Sequence, residues 1–203
     1  MHQDYFEHDV IVVGGGHSGS EAAAAAANMG ADTLLITMKL ADIGQMSCNP
    51  AIGGIGKGHI AREIDALGGI MGKATDRAGI QFRMLNKSKG PAVWGPRAQC
   101  GRRAYARAIR QELEAIDDLK MRSDMVKEIL TDDAGETVTG VRTNLGKEFR
   151  APSVVLTPGP FSNGVLHVAQ HNFGGVLIGE RPSHGLTGCL HDLAFARGRL
   201  TPG

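Results

Sequence analysis

The sequence predicts an α/β fold in which helices pack on a parallel sheet and a β-meander is inserted before the last strand of that sheet. Three observations predict it. The apolar run Val10-Ile11-Val12-Val13 leads into Gly14-Gly15-Gly16-His17-Ser18-Gly19 and then an alanine-rich stretch over residues 21–27. A second apolar run, Thr33-Leu34-Leu35-Ile36-Thr37, follows after one helix length, and short strand-like segments recur between residues 126 and 156. Strand 10–13, helix 18–29 and strand 33–37 make a compact β-α-β unit, and a crossover through a helix joins parallel strands.

The turn inside that unit carries the first chemical signal. Gly14, Gly16 and Gly19 hold the glycine positions of G-x-G-x-x-G. Each has a physical reason: a tight strand-to-helix turn, room for the backbone to approach a pyrophosphate, and close packing of helix on strand. The helix beyond the turn aims unpaired N–H groups and the positive end of its dipole at such a phosphate, an effect of roughly 0.3–2 kcal/mol. The pattern predicts a Rossmann-like site for NAD(P) or FAD. The second strand of such units usually ends in an acidic residue that binds the adenosine ribose. Here it runs Thr37-Met38-Lys39, which leaves either a phosphate or a ribose held by other groups.

Residues 44–58 are glycine-rich with no helical or strand period, and they predict a binding loop anchored by Ile43, Met46, Ile52 and Ile55. Ile60, Ile64 and Leu67 then recur at helical spacing and predict a short amphipathic helix ended by Gly68-Gly69. A second loop, 86–96, contains Lys87, Lys89, Pro91, Trp94 and Pro96. It runs into a helix with Tyr105, Ile109, Leu113 and Ile116 as its buried stripe. The other face of that helix carries Arg103, Arg107 and Arg110, near Arg97 and Arg102, and is either a phosphate contact or a solvated face paired with Glu112 and Glu114. Strands at 126–130 and 138–141, a turn at 145–146 and the apolar run 153–156 place the meander at about residues 125–150. By fold analogy with two-domain flavoproteins, this order favours FAD over a simple NAD dehydrogenase. Gly159, Gly164, Gly174, Gly175 and Gly179 suggest another ligand-facing tract, and a last helix is predicted over 186–196.

Composition sets the outer bounds. A chain of 203 residues with 42% hydrophobic content suits one domain with a packed core. A formal net charge of +1 excludes a strongly basic protein, so a polyanion would have to meet a local patch. Cys48, Cys100 and Cys189 form no C-x-x-C, which fits a reducing compartment, with the cytoplasm as the expectation. No secretory signal or membrane span is read from the sequence. Residues 53–58 imitate a phosphate loop, but Ala51 and Gly58 stand where G-x-x-x-x-G-K-[ST] needs a glycine and a hydroxyl. Neither His167 with His171 nor His184 with Cys189 and His191 has a recognised ligand spacing, so no metal site is expected. Cys48 sits in Gln45-Met46-Ser47-Cys48-Asn49-Pro50 with Lys57, His59 and Arg62 close in sequence. It is either a nucleophile activated by those cations or a small buried hydrophobe.

Two blocks together, Gly14-Gly15-Gly16-His17-Ser18-Gly19-Ser20-Glu21 and Gly44-Gln45-Met46-Ser47-Cys48-Asn49-Pro50-Ala51-Ile52-Gly53-Gly54-Ile55-Gly56-Lys57-Gly58, closely resemble the MnmG (GidA) family of tRNA-modifying flavoproteins. Glu63-Ile64-Asp65-Ala66-Leu67-Gly68-Gly69, Lys89-Gly90-Pro91-Ala92-Val93 and Pro96-Arg97-Ala98-Gln99 extend the resemblance. It covers essentially the whole chain and the first third or so of the family's length.

That resemblance implies that residues 1–203 are a partial FAD-binding domain, with the tRNA- and partner-binding region lying beyond them. The implied enzyme works with a GTPase partner (MnmE) to add a carboxymethylaminomethyl or aminomethyl group to C5 of the wobble uridine of tRNA. FAD is its cofactor, NADH and methylenetetrahydrofolate are its co-substrates, and it pairs as a homodimer. Cys48 is the implied catalytic residue. Gly14, Gly15, Gly16, His17, Ser18 and Gly19 are the implied FAD pyrophosphate turn, and Val126 and Ser183 match positions that contact FAD. Gly101 stands where the pattern has Asp, Pro160 and Ser162 replace Thr and Leu, and Leu177 replaces Arg; these changes are expected to remove hydrogen bonds near a ligand tract. Two alternatives stand beside this reading. One is a folate- and flavin-dependent tRNA uridine methyltransferase, which shares the glycine turn but lacks the Met-Ser-Cys-Asn-Pro block. The other is a non-catalytic dinucleotide-binding or partner-docking module.

Overall fold

Apolar residues run through 10–13 and 33–36 without polar alternation, the pattern of strands covered on both faces. A computed structural model, which describes residues 6–159, 165–168, 171–174 and 186–193, shows why. After a short strand β1 (Phe6–Glu7), β2 (Val10–Val13) leads through α1 (His17–Asn28) to β3 (Thr33–Thr37). Beyond them lie β4 (Ala51–Gly53), α2 (Lys57–Ala66), α3 (Ile70–Ala78), β5 (Gly79–Leu85), β6 (Gly95–Cys100), α4 (Arg102–Glu114) and β7 (Leu119–Ser123). The rest is β8 (Val126–Thr131), β9 (Val138–Thr143), β10 (Glu148–Arg150), β11 (Ser153–Leu156), β12 (Val165–Val168), β13 (His171–Gly174) and α5 (Leu186–Asp192).

The central sheet has the order β11-β2-β3-β7, with every pairing parallel. Its side chains alternate between two cores. On one face Val12 and Leu35 meet Ala23, Ala24 and Ala27 of α1, Ala74 of α3, and Tyr105, Ile109 and Leu113 of α4. On the other face Ile11, Val13, Leu34 and Ile36 meet Val126 and Ile129 of β8, Val141 of β9, Phe149 of β10 and Leu186 of α5. The α/β class, the β-α-β unit and the Tyr105, Ile109 and Leu113 stripe of α4 are as the sequence predicts, while Ile116 lies past the helix and is half-buried against the same core. The meander β8-β9-β10 is antiparallel, and β1 joins its edge parallel to β10.

Three expectations fail for tertiary reasons. Residues 44–58 are not all loop: Ala51–Gly53 forms β4, paired antiparallel with β6 in the sheet β4-β6-β5. A strand of three residues has no readable period of its own, and its partner lies more than 40 residues away. The anchors Ile43, Met46 and Ile52 are buried as expected, but Ile55 is 76% exposed. The predicted stripe of α2 divides: Ile64 is half-buried, whereas Ile60 is 57% exposed and Leu67, just past the helix, 89%.

Gly68-Gly69 ends α2, but a second helix follows at once. Gly69, the residue before α3, offers no side chain to cap it. Glu21 of α1 does so from 49 residues away, its Oε2 accepting the Ile70 N–H at 3.1 Å and its Oε1 the Met71 N–H at 2.6 Å. A carboxylate there satisfies two orphan donors and complements the helix dipole. Replacing Glu21 with Ala should destabilise the fold by about 0.5–2 kcal/mol. Calorimetry should show the thermal midpoint falling by a few degrees, and Glu21→Gln should lose less.

Candidate functional site

The strands of the parallel sheet point their carboxyl ends one way, so the segments that follow them gather along one rim. Those segments are residues 14–16 after β2, Met38-Lys39 after β3, Asp124 after β7 and Thr157 after β11. Ligands of open α/β sheets bind outside that edge. The three motif glycines play different parts there. Gly14 has φ +107°, and a Cβ on it would overlap the carbonyl oxygen of Thr157. Gly19 lies so close to β2 that a Cβ would overlap the Gly14 carbonyl oxygen. At Gly16 a Cβ would meet nothing within 4 Å. Gly19 therefore seats the helix on the end of β2, Gly14 seats the turn against the residue that follows β11, and Gly16 faces open space.

That open space lies at the N-terminus of α1. Gly16, the N-cap, provides no side-chain acceptor, and no acidic residue occupies the first turn. The first-turn N–H groups are thus left for an outside acceptor, which is the arrangement that binds a pyrophosphate. Thr157 locks the turn. Its N–H donates to the Val13 carbonyl at 2.8 Å, and its hydroxyl lies 2.9 Å from that oxygen and 3.2 Å from the Gly14 carbonyl oxygen. Sequence reasoning missed Thr157, which follows strand 153–156 but belongs to no motif. The cradle therefore fits the pyrophosphate of a dinucleotide in shape and hydrogen-bonding capacity.

His17 is partly buried beside this cradle. Burial first, and the Lys57 ammonium second, push its pKa down to about 4. It is neutral at pH 7, so a bound anion is met by backbone dipoles and not by an imidazolium. Its Nδ1 lies 3.5 Å from the hydroxyl of Tyr105, and the two rings pack edge to face with centroids 5.6 Å apart. Burial pushes the Tyr105 phenol up, and the charges of Glu21 and Cys100 add to that rise. Ser18 is exposed on the first turn.

The same turn holds the loop that carries Cys48. The Gly44 N–H donates to the Gly15 carbonyl at 2.9 Å, and buried Met46 anchors the next residues in the core. Arg102, at the start of α4, donates through Nη1 to the Met46 carbonyl and through Nη2 to the Cys48 carbonyl, the latter at 2.7 Å. Cys48 itself is an exposed free thiol, so the small-buried-hydrophobe reading is overturned. Of its sequence neighbours, Lys57 lies within its electrostatic reach. Burial lowers the Lys57 pKa, and negative charge on Cys48 and Cys100 opposes that shift. Lys57 Nζ also donates to the Ala51 carbonyl at 3.4 Å. Arg62 goes elsewhere, lining a cavity of about 420 Å³ with Phe82, Arg83 and Arg97.

Val126 opens β8 with its side chain buried in the core, so any cofactor contact there falls to its backbone. Ser183, Pro160, Ser162 and Leu177 lie outside the described residues, as does His184. Gly101 is the N-cap of α4. An aspartate there would cap that helix, so its replacement by glycine alters stability by only a few tenths of a kcal/mol, roughly. The basic face divides: Arg110 pairs with Glu114 at 2.7 Å and donates to the Leu40 carbonyl at 3.0 Å, while Glu112 pairs with Arg77 of α3. Arg103 and Arg107 are exposed. Cys189 packs on β8, where the Ile129 N–H donates to its Sγ at 3.3 Å. Among the described residues no group of three or more His, Cys, Asp or Glu comes together as a metal site. No helix among them is long and apolar enough to cross a membrane.

Comparison with known proteins gives a consistent result. The family model described as "Glucose inhibited division protein A" matches residues 9–203. The chain is 91% identical over 203 residues to the tRNA uridine 5-carboxymethylaminomethyl modification enzyme MnmG of Salinibacter ruber, covering 100% of this chain and 31% of that protein. It is 53% identical over 197 residues to the enzyme of the same name from Flavobacterium johnsoniae, covering 97% and 31%. Among solved structures, Aquifex aeolicus GidA superposes with a TM-score of 0.87 at 48% identity, covering 92% of this chain and 31% of that one. The chain thus spans about a third of the length of these relatives.

The glycine geometry separates two variants. Gly19→Ala should destabilise the fold by about 1–3 kcal/mol or more through overlap with backbone. Gly16→Ala should cost less than about 1 kcal/mol, as denaturant titration would measure. His17 adds a pH signature. Its folded pKa lies below the unfolded value, so the stability tied to its neutral form is complete above pH 6.5 and falls as pH drops toward about 4. Thermal midpoints measured across that window should decline less steeply in His17→Gln.

Proposed function

We propose that this chain, which belongs to the glucose inhibited division protein A family, is the FAD-holding portion of an enzyme that modifies C5 of the wobble uridine of tRNA. The observation that carries the reading is the division of labour among Gly14, Gly16 and Gly19: two close the turn, and the third leaves space at an uncapped helix N-terminus. Gly15, Gly16, Ser18 and Gly19 hold the pyrophosphate through backbone N–H groups, Gly14, whose own N–H is given to the Ile36 carbonyl at 2.8 Å, shapes the turn, neutral His17 lines the cradle, and the backbone of Val126 meets the cofactor farther along the rim. When bound, FAD supplies the redox chemistry at the one-carbon unit.

Cys48 is the nucleophile. Uracil C5 is a poor nucleophile until a group adds at C6. The Cys48 thiolate forms an S–C6 bond as the C5=C6 π pair moves toward C5; after C5 has bonded to carbon, loss of its proton and departure of the thiolate restore the double bond. Arg102 holds the backbone that carries Cys48, and Lys57 places a positive charge beside the thiolate. Methylenetetrahydrofolate as one-carbon donor, NADH as reductant, a GTPase of the MnmE type and a second copy of the enzyme complete the proposed system, which a tRNA substrate places in the cytoplasm.

The test is reconstitution with FAD, removal of excess, and a visible absorption spectrum. The wild-type chain should retain a flavin band, and Gly16→Ala should lose it while keeping most of its stability. A wild-type chain that retains no flavin sinks the reading. In a full-length context, Cys48→Ser should retain flavin and lose tRNA turnover by several orders of magnitude.

A further inference from the structure

Where the second strand of a dinucleotide fold usually offers a carboxylate to adenosine, β3 ends in Thr37-Met38-Lys39. The structure supplies a carboxylate one strand over. Thr37 is in register with Ser123 of β7, so the next residue, Asp124, stands beside the end of β3. Its N–H donates to the Thr37 carbonyl at 2.9 Å, and the Ser123 hydroxyl donates to the Met38 carbonyl at 2.9 Å. Asp124 is only 8% exposed. Its Oδ1 accepts the Met125 N–H at 2.8 Å, but Oδ2 is buried with no hydrogen-bond partner.

An orphaned buried acceptor is unfavourable, more so on a carboxylate, and calls for an explanation in a native fold. Among the described residues the only other buried side-chain polar atoms without a partner are Arg122 Nε and Thr143 Oγ1. All three belong to one junction. Arg122 is on β7, Asp124 lies between β7 and β8, and Thr143 sits opposite Val126 in the β8–β9 register. Polar capacity is therefore left open two strands from the glycine turn, on the same carboxyl-end rim where ligands of such sheets bind.

We infer that Asp124 is the acceptor for a hydrogen-bond donor on the adenosine half of the cofactor, a ribose hydroxyl or the 6-amino group, in place of the carboxylate missing from β3. Oδ2 meets that donor by rotation of a side chain that, among the described residues, is tied only by the local bond from Met125. The inference rests on the dinucleotide reading proposed above.

Calorimetric titration separates the two. The wild-type chain should bind ADP, and Asp124→Asn should bind it about 10- to 100-fold more weakly, the loss expected of a hydrogen bond to a charged group. Its affinity for inorganic pyrophosphate should not fall. On the wild-type chain, which avoids any folding defect of the variant, weaker binding of 2′- or 3′-deoxy-ADP assigns the contact to the ribose, and weaker binding of IDP assigns it to the amino group. Equal affinity for ADP, the deoxy analogues and IDP overturns the assignment and leaves the dinucleotide reading standing, as does an unchanged ADP affinity in Asp124→Asn. A wild-type chain that binds no ADP overturns the dinucleotide reading itself.

Discussion

The backbone contact of Gly19 with the carbonyl of Gly14 is the constraint on which the rest of the site depends. It lets α1 lie directly on the end of β2, so that the helix N-terminus opens beside the strand it has just left. Any side chain at Gly19 would lever that end away. With the helix seated, Thr157 can bridge to the Val13 and Gly14 carbonyls from the neighbouring strand, and the Gly15 carbonyl is turned to receive Gly44. Gly44 begins the segment that brings Cys48 to the rim. One close approach thus fixes the anion cradle and starts the path to the exposed thiol.

Charge in the site is arranged by burial more than by pairing. Loss of solvent keeps His17 neutral at pH 7 and lowers the Lys57 pKa. The helix N-terminus gives the cradle a positive potential that does not titrate, beside the Lys57 ammonium whose charge reaches His17. Arg102 spends its guanidinium on two loop carbonyls instead of a ligand. A planar fork with several donors suits that task, since it can hold two successive backbone positions at once.

The two cores explain why the cradle can be rigid. The parallel sheet is covered by α1, α3 and α4 on one side and by the meander and α5 on the other, so the strand ends that carry the site cannot shift without disturbing close packing. Glu21 adds a polar link, since the helix that forms the cradle also caps α3. The outer sheet β4-β6-β5 is packed differently, with Ile80 and Phe82 of β5 exposed to solvent along with Ile60 of α2 and Leu67 just after it.

The sequence by itself determined what depends on local pattern: the β-α-β unit, the glycine turn, the α4 stripe and the presence of a thiol in a glycine-rich block. These follow from apolar periodicity and from the steric freedom of glycine, both of which act over a few residues. Only the tertiary structure decided the strand at 51–53, whose hydrogen bonds come from β6, and the start of α3, whose cap comes from α1. It also decided that Ile60 and Leu67 face outward, since a helical period states which residues share a face and not what that face meets. The candidate site divides the same way. Gly14, Gly16, Gly19 and Cys48 were legible in the sequence, whereas Thr157 and Asp124 acquire meaning only because parallel strands end together, placing residues from distant parts of the chain along one rim.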